Sequence, residues 1–358
     1  MTTPYSSMPN TFRRDLRAGK SLIGCWASLA SNITTEILGY AGFDWLLLDG
    51  EHAPNDYASF ITQLQALKDS PSAPFVRPQW QDPVVIKRLL DIGFYNFLIP
   101  FIESAEQAQR AVAATRYPPD GFRGVGTAHR SNQYGFNTDY FKHINDNICV
   151  TVQIESPAGV LDARACAAAT NVIALLVGGE DLATALGGQA TPEVLRVPKL
   201  LVHYAARAEG RLSFGLLRSV ADYADLDGIR AAAEEAHAHG FDGATCVHPS
   251  AVPILNLGCR VSPSTLTSIQ IPSSGAASTA ATRSTTPANS ATKTPSTTTR
   301  LSLTLATALP STAASKTENS AATVPSTLAP SLCKCPDNTM TSGTAATAKA
   351  ATTMGNMP

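Results

Sequence analysis

The sequence predicts a (β/α)8 TIM barrel. About eight apolar strand candidates, each followed by a helical pattern, fall within roughly 250 residues, which is the size and alternation of that fold. Several of these candidates run straight into ionisable residues, as in "WLLLDGEH" at 45–52. A barrel would gather such ends at one mouth. A doubly wound open sheet fits less well, because no G-x-G-x-x-G follows the first strand.

The elements follow in order. "SLIGCWASL" (21–29) reads as a strand and "TTEILGYAG" (34–42) as a helix. "FDWLLLDG" (43–50) is a strand whose unbroken Leu run suits burial on both faces. "YASFITQLQALKDS" (57–70) repeats apolar residues at spacings of three and four, a helical period. "APFVRPQ" (73–79) is a strand, and "DPVVIKRLLDIG" (82–93) a helix with Pro at its start and Gly at its end. "YNFLIPFI" (95–102) precedes "SAEQAQRAVAATRY" (104–117), whose Ser-x-x-Gln opening is a capping box. "NICVTVQIES" (147–156) leads to the helical "AGVLDARACAAAT" (158–170). "VIALLVGGEDL" (172–182) reads as a strand ending in a polar loop, and "LSFGLLRS" (212–219) as a further strand. "DLDGIRAAAEEAHAHG" (225–240) and "FDGATCVHP" (241–249) supply the last helix and strand.

Composition divides the chain into a barrel at 10–257 and a tail at 258–358. The tail is rich in Ser, Thr, Ala and Pro and carries nine charged residues. Such a segment buries too little apolar surface to offset chain entropy, so disorder is expected. A formal net charge of −1 gives no basic field for nucleic acid or an acidic membrane surface. No apolar run reaches the length of a membrane span, and the polar N-terminus lacks a signal-peptide core, so a cytoplasmic location is expected. Cys25, Cys149, Cys166, Cys246 and Cys259 lack metal-ligand spacing and read as reduced thiols; Cys333 and Cys335 form a lone C-x-C, too little for zinc.

The strand ends carry the chemistry: Asp49, Glu51 and His52, then Arg77, then Gln153 and Glu155, then Glu180 and Asp181, and last His248. Taken singly, each reads as a turn charge or a surface pair. Together they put ionisable groups on five strands that would share one rim. Two carboxylates from different strands, Glu155 and Asp181, suit a hard divalent cation such as Mg2+. His52 suits a general base. The Arg77 fork suits a carboxylate or a developing enolate oxygen. Such a set fits proton transfer or carbon–carbon cleavage on a 2-oxo acid.

"GFDWLLLDGEHAPND", "RPQWQDPVVIKRLLDIGFYNFLIPF", "TRYPPDGFRGVG" and "VQIES" resemble the class II 2-oxo-acid aldolases of the HpcH/HpaI family over residues 10 to 165. The resemblance implies a metal-dependent barrel that cleaves a 2-dehydro-3-deoxy sugar acid, such as 2-dehydro-3-deoxyglucarate, or a 4-hydroxy-2-oxo acid. The products would be pyruvate and an aldehyde such as tartronate semialdehyde. It implies His52 as the base, Asp91 as the group that raises its basicity, and Arg77 as the enolate stabiliser. It implies Glu155 and Asp181 as ligands of Mg2+ (or Mn2+ or Co2+), with Gln153, Glu180 and Asp181 at the substrate. A homo-oligomer is expected if the C-terminal end permits it.

These aldolases usually carry Gly-Pro-Ser/Ala-Asp-Leu where this chain has "GGEDL". From there, "GGEDLATALG" and "DLDGIRAAAEEAHAHGFDGATCVHPSAVPILN" are similar to citrate lyase β-subunit-like enzymes, which cleave acyl-CoA esters on the same barrel. The alternatives to a sugar-acid aldolase are therefore a CoA-ester lyase or an inactive mosaic chain.

Overall fold

The structure is a computed structural model that describes residues 10–259. From residue 260 the tail, with Cys333 and Cys335, lies outside the described residues. Eight parallel strands pair in sequence order and close into a barrel: β1 Leu22–Ala27, β2 Trp45–Asp49, β3 Ala73–Arg77, β4 Asn96–Ile99, β5 Cys149–Ile154, β6 Val172–Val177, β7 Leu212–Phe214 and β8 Gly243–Cys246. β8 closes on β1, with Cys246 beside Cys25. The predicted fold class is the observed one.

The period of two along each strand sorts the side chains into two layers. Leu22, Trp45, Leu47, Phe75, Leu176 and Phe214 fill the barrel. Ile23, Leu46, Leu48, Val76, Val150 and Val152 point outward beneath the helices. In β2 this alternation sends Trp45, Leu47 and then Asp49 inward, so the strand delivers a carboxylate to the top of the same column that packs the core.

Gly24 is neighbour to Trp45 in register. A Cβ on Gly24 would lie 2.3 Å from the Trp45 indole, so glycine makes room for that ring inside the barrel. Gly24→Ala is expected to cost about 1–3 kcal/mol by overpacking, read as a lower chemical-unfolding midpoint.

A helix the sequence reading lacked, α1 (Thr11–Arg17), plugs the barrel. Phe12 and Leu16, four residues apart on one face, enter the interior cluster, and the Phe12 ring meets Phe75 edge-on at 4.5 Å. Asn10 caps α1 and ties it to the barrel through Nδ2, which donates to Asn96 Oδ1 at 2.7 Å and to the Asn147 carbonyl at 2.8 Å.

The outer helices are α2 Asn32–Gly39, α3 Tyr57–Ala66, α4 Pro83–Ile92, α5 Ala105–Ala114, α6 Tyr140–Asn147, α7 Pro157–Leu161, α8 Ala163–Ala168, α9 Gly179–Ala185, α10 Pro192–Ala208, α11 Leu226–Ala238 and α12 Val252–Gly258. The elements depart from the sequence reading at several points, and α6 and α12 were not anticipated in it. The helix expected over 158–170 breaks at Asp162 into α7 and α8. The "GGEDL" loop is instead the start of α9, which places Glu180 and Asp181 in a first turn where acidic charge is favourable. The strand expected over 212–219 stops at Phe214, because Gly215 (φ +141°) turns the chain out of the ladder. α10 was not anticipated. Its Thr191 cap and Pro192 start are ordinary signals, but Pro198 inside it interrupts the pattern.

Candidate active site

A cavity of about 270 Å³ opens at the C-terminal ends of the strands. His52, Arg77, Gln153, Glu155, Glu180 and Asp181 all line it, as does Asp49. Asp91 and His248 do not.

The β2/β3 corner is a rigid unit. Asp49 and Arg77 are direct neighbours in register. Both are buried, and Arg77 donates from Nε to Asp49 Oδ1 at 2.8 Å and from Nη2 to Oδ2 at 2.7 Å. Its Nη1 stands 2.9 Å from Glu51 Oε2. The guanidinium also lies over the Trp26 ring, 4.5 Å from the centroid. These contacts fix the fork and leave two of its five N–H groups free of them. Gly50 allows the strands this close, since a Cβ there would sit 2.7 Å from the Arg77 carbonyl oxygen. Asp49 and Glu51 thus hold Arg77. Burial pushes the Glu51 carboxyl up, against the pull of Arg77 and His52. His52 follows in the loop and is exposed at the mouth.

Glu155, just past β5, is 1% exposed. Its Oε1 accepts from Gln153 Nε2 at 2.6 Å and its Oε2 from the Phe101 N–H at 3.0 Å. Phe101 holds φ +50°, a left-handed conformation costly for an aromatic residue, and so presents its N–H to this carboxylate. Burial raises the Glu155 carboxyl to about 7; Glu51 and Asp181 add to the rise, while Phe101 and Arg77 oppose it. Gly178 makes the site sterically possible, because a Cβ there would fall 2.2 Å from Glu155 Oε1. The Gln153 amide oxygen is buried without a partner, so a donor arriving in the cavity can satisfy it.

Asp91 lies away from the cavity within this chain, so the chain by itself does not bring it to His52. It accepts from Arg123 Nη2 at 2.7 Å, and its other near partner is His129 Nε2 at 3.9 Å. Within one chain it is committed to Arg123, which offsets its unfavourable place at the C-terminal end of α4. His248 caps a short 3-10 turn with Ser250 and stacks on Tyr223.

Two groups were missed. Phe101 gives no sequence signal, since left-handed backbone at an aromatic residue is not legible from composition. Lys199 of α10 lines the cavity, and burial lowers its ammonium to about 8. It lay in the helix that Pro198 obscured.

The profile of the HpcH/HpaI aldolase/citrate lyase family matches residues 22–249. The chain belongs to this family. Both resemblances read from the sequence fall under that name. The chain is 56% identical over 201 residues to a 5-keto-4-deoxy-D-glucarate aldolase of Citrobacter koseri, covering 56% of this chain and 78% of that one. It is 54% identical over 213 residues to the enzyme of that name from Salmonella paratyphi C, covering 59% and 83%. Among solved structures, an HpcH/HpaI aldolase/citrate lyase family protein of Burkholderia cenocepacia superposes with a TM-score of 0.61 at 33% identity, over 70% of this chain and 96% of that one. An HpcH/HpaI aldolase of Desulfitobacterium hafniense gives 0.58 at 27%, over 68% and 93%. The protein is accordingly an enzyme, a carbon–carbon lyase of the aldolase type. Among the described residues, no helix is long and apolar enough to cross a membrane.

Proposed function

We propose that this lyase cleaves a 2-dehydro-3-deoxy sugar acid, such as 5-keto-4-deoxy-D-glucarate, to pyruvate and an aldehyde such as tartronate semialdehyde. The observation that carries this reading is the convergence of His52, Arg77, Gln153 and Glu155 on one cavity, in a chain 56% identical to aldolases of that name.

The donor set fits a divalent cation. Among the described residues, no three His, Cys, Asp or Glu side chains form a ready-made cage. Mg2+ does not need one, since it binds through one or two carboxylates and completes its shell with water and substrate oxygens. Glu155 and Asp181 offer hard oxygen donors, and Asp181 adds to the cost of ionising Glu155 when no cation is near. Arg77 relieves this only in part, because it is matched by Asp49 and Glu51. Glu155 and Asp181 would hold the ion, which supplies positive charge to polarise the 2-oxo group.

The side chains account for the rest. His52 takes the proton of the hydroxyl on the far carbon of the bond to be cleaved. That oxygen becomes the aldehyde carbonyl as the carbon–carbon bond breaks, and the bonding pair moves into the 2-oxo group. Arg77 faces the enolate charge with its remaining N–H groups. Gln153 is held by Glu155, and its unpaired amide oxygen accepts from a substrate hydroxyl. The proton then returns to the enolate carbon and completes the methyl group of pyruvate.

The test is pyruvate release from 5-keto-4-deoxy-D-glucarate, read with a coupled dehydrogenase. Turnover is expected with Mg2+, and its loss with EDTA. Turnover unaffected by EDTA would remove the metal from the account.

A further inference from the structure

Beyond Phe214 the chain leaves the sheet, yet residues 216–219 are buried, and only from Ala221 is it exposed. Gly215, Leu216, Ser219, Val220 and Ala221 of this stretch line the cavity. A buried segment outside the ladder leaves carbonyl groups that need donors. The Gly215 N–H still reaches the Gly243 carbonyl at 3.0 Å, which ends the sheet pairing. The next carbonyls, of Leu216 and Arg218, both accept from one group, Lys199 Nζ, at 2.9 and 2.6 Å.

Lys199 is 5% exposed, and its stem passes beside the N-terminal turn of α9, with Cε 3.7 Å from a Cβ built on Gly179. Burying a lysine is costly, and its place here is against two carbonyls rather than a carboxylate. The far side of the segment has its own ties. Arg218 Nη1 donates to Asp225 Oδ2 at 2.9 Å, its Nη2 donates to Asp222, and Ser219 Oγ donates to Glu180 on α9.

We propose that Lys199 is a positioning residue: its ammonium pins residues 215–225 as a wall of the cavity and so sets how tightly the substrate is held. The inference rests on the aldolase reading for its substrate. None of His52, Arg77, Gln153, Glu155 or Asp181 lies on this wall. Its loss therefore weakens binding before it slows proton transfer, a signature in KM rather than kcat. Ser219 bridges the wall to Glu180, where this chain departs from the usual aldolase wording.

The test compares Lys199→Met and Ser219→Ala with the unsubstituted 358-residue protein. In Lys199→Met, KM for 5-keto-4-deoxy-D-glucarate is expected to rise about tenfold or more, with kcat within about threefold, the scale of losing charge-assisted hydrogen bonds. Limited proteolysis within 215–225 accelerates in the same variant. Ser219→Ala moves KM in the same direction by less. A wild-type KM with wild-type proteolysis in Lys199→Met overturns the inference. If that variant does not fold, an unchanged KM in Ser219→Ala overturns it. If the natural protein releases no pyruvate, the functional reading fails, and the proteolysis of Lys199→Met still decides the role of Lys199.

Discussion

Glu155→Gln is expected to make the protein more stable at pH 8 and inactive. Burial raises the Glu155 carboxyl from 4.5 to about 7, so the folded state holds this proton more tightly than the unfolded chain does. The cost of ionising it is absent below pH 4.5, grows between 4.5 and 7, and is full above 7. Glutamine removes that cost but loses one good contact with Gln153. The net gain is about 1–2 kcal/mol at pH 8, vanishing by pH 5. Thermal melts of metal-free protein at the two pH values check it. Mg2+ should raise the melting temperature of the natural protein and leave that of the variant unchanged. A variant less stable than the natural protein at pH 8 would show that the buried carboxylate contributes structure rather than a site held at a cost.

His52→Ala is expected to leave stability unchanged and to lower activity by about 10²–10⁴-fold, the range of a lost general base. His52 is exposed at the cavity mouth, where truncation costs little folding energy. Added imidazole should restore part of the rate. If the variant keeps wild-type kcat, another group takes the proton.

The sequence made the barrel and much of the site readable for physical reasons. A parallel barrel strand is buried on both faces, so "WLLLD" and "CVTVQIES" stand out as apolar runs ending in charge. The period of two then places Asp49, Arg77 and Gln153 on the inner face. Other features depend on long-range packing. The use of Asp49 and Glu51 to aim Arg77 follows from the β2/β3 register, which no local pattern fixes. Asp91 read as a partner of His52 by resemblance, yet within the chain Arg123 reaches it across a long loop. Phe101 adopts its left-handed backbone because Glu155 needs a donor, a demand set 54 residues away. Pro198 hid α10, and Lys199 with it. "LSFGLLRS" has the apolar content of a strand, but Gly215 ends the ladder, and the burial of the next residues comes from the cavity wall.

The most direct test of the central claim is exchange of the pyruvate methyl protons for deuterium, followed by NMR in heavy water. It needs the metal, Glu155, Arg77 and His52 but no aldehyde. The account predicts exchange with Mg2+ present, none in EDTA, and little or none in Glu155→Gln and His52→Ala. Exchange that continues at the natural rate in EDTA or in Glu155→Gln would contradict it.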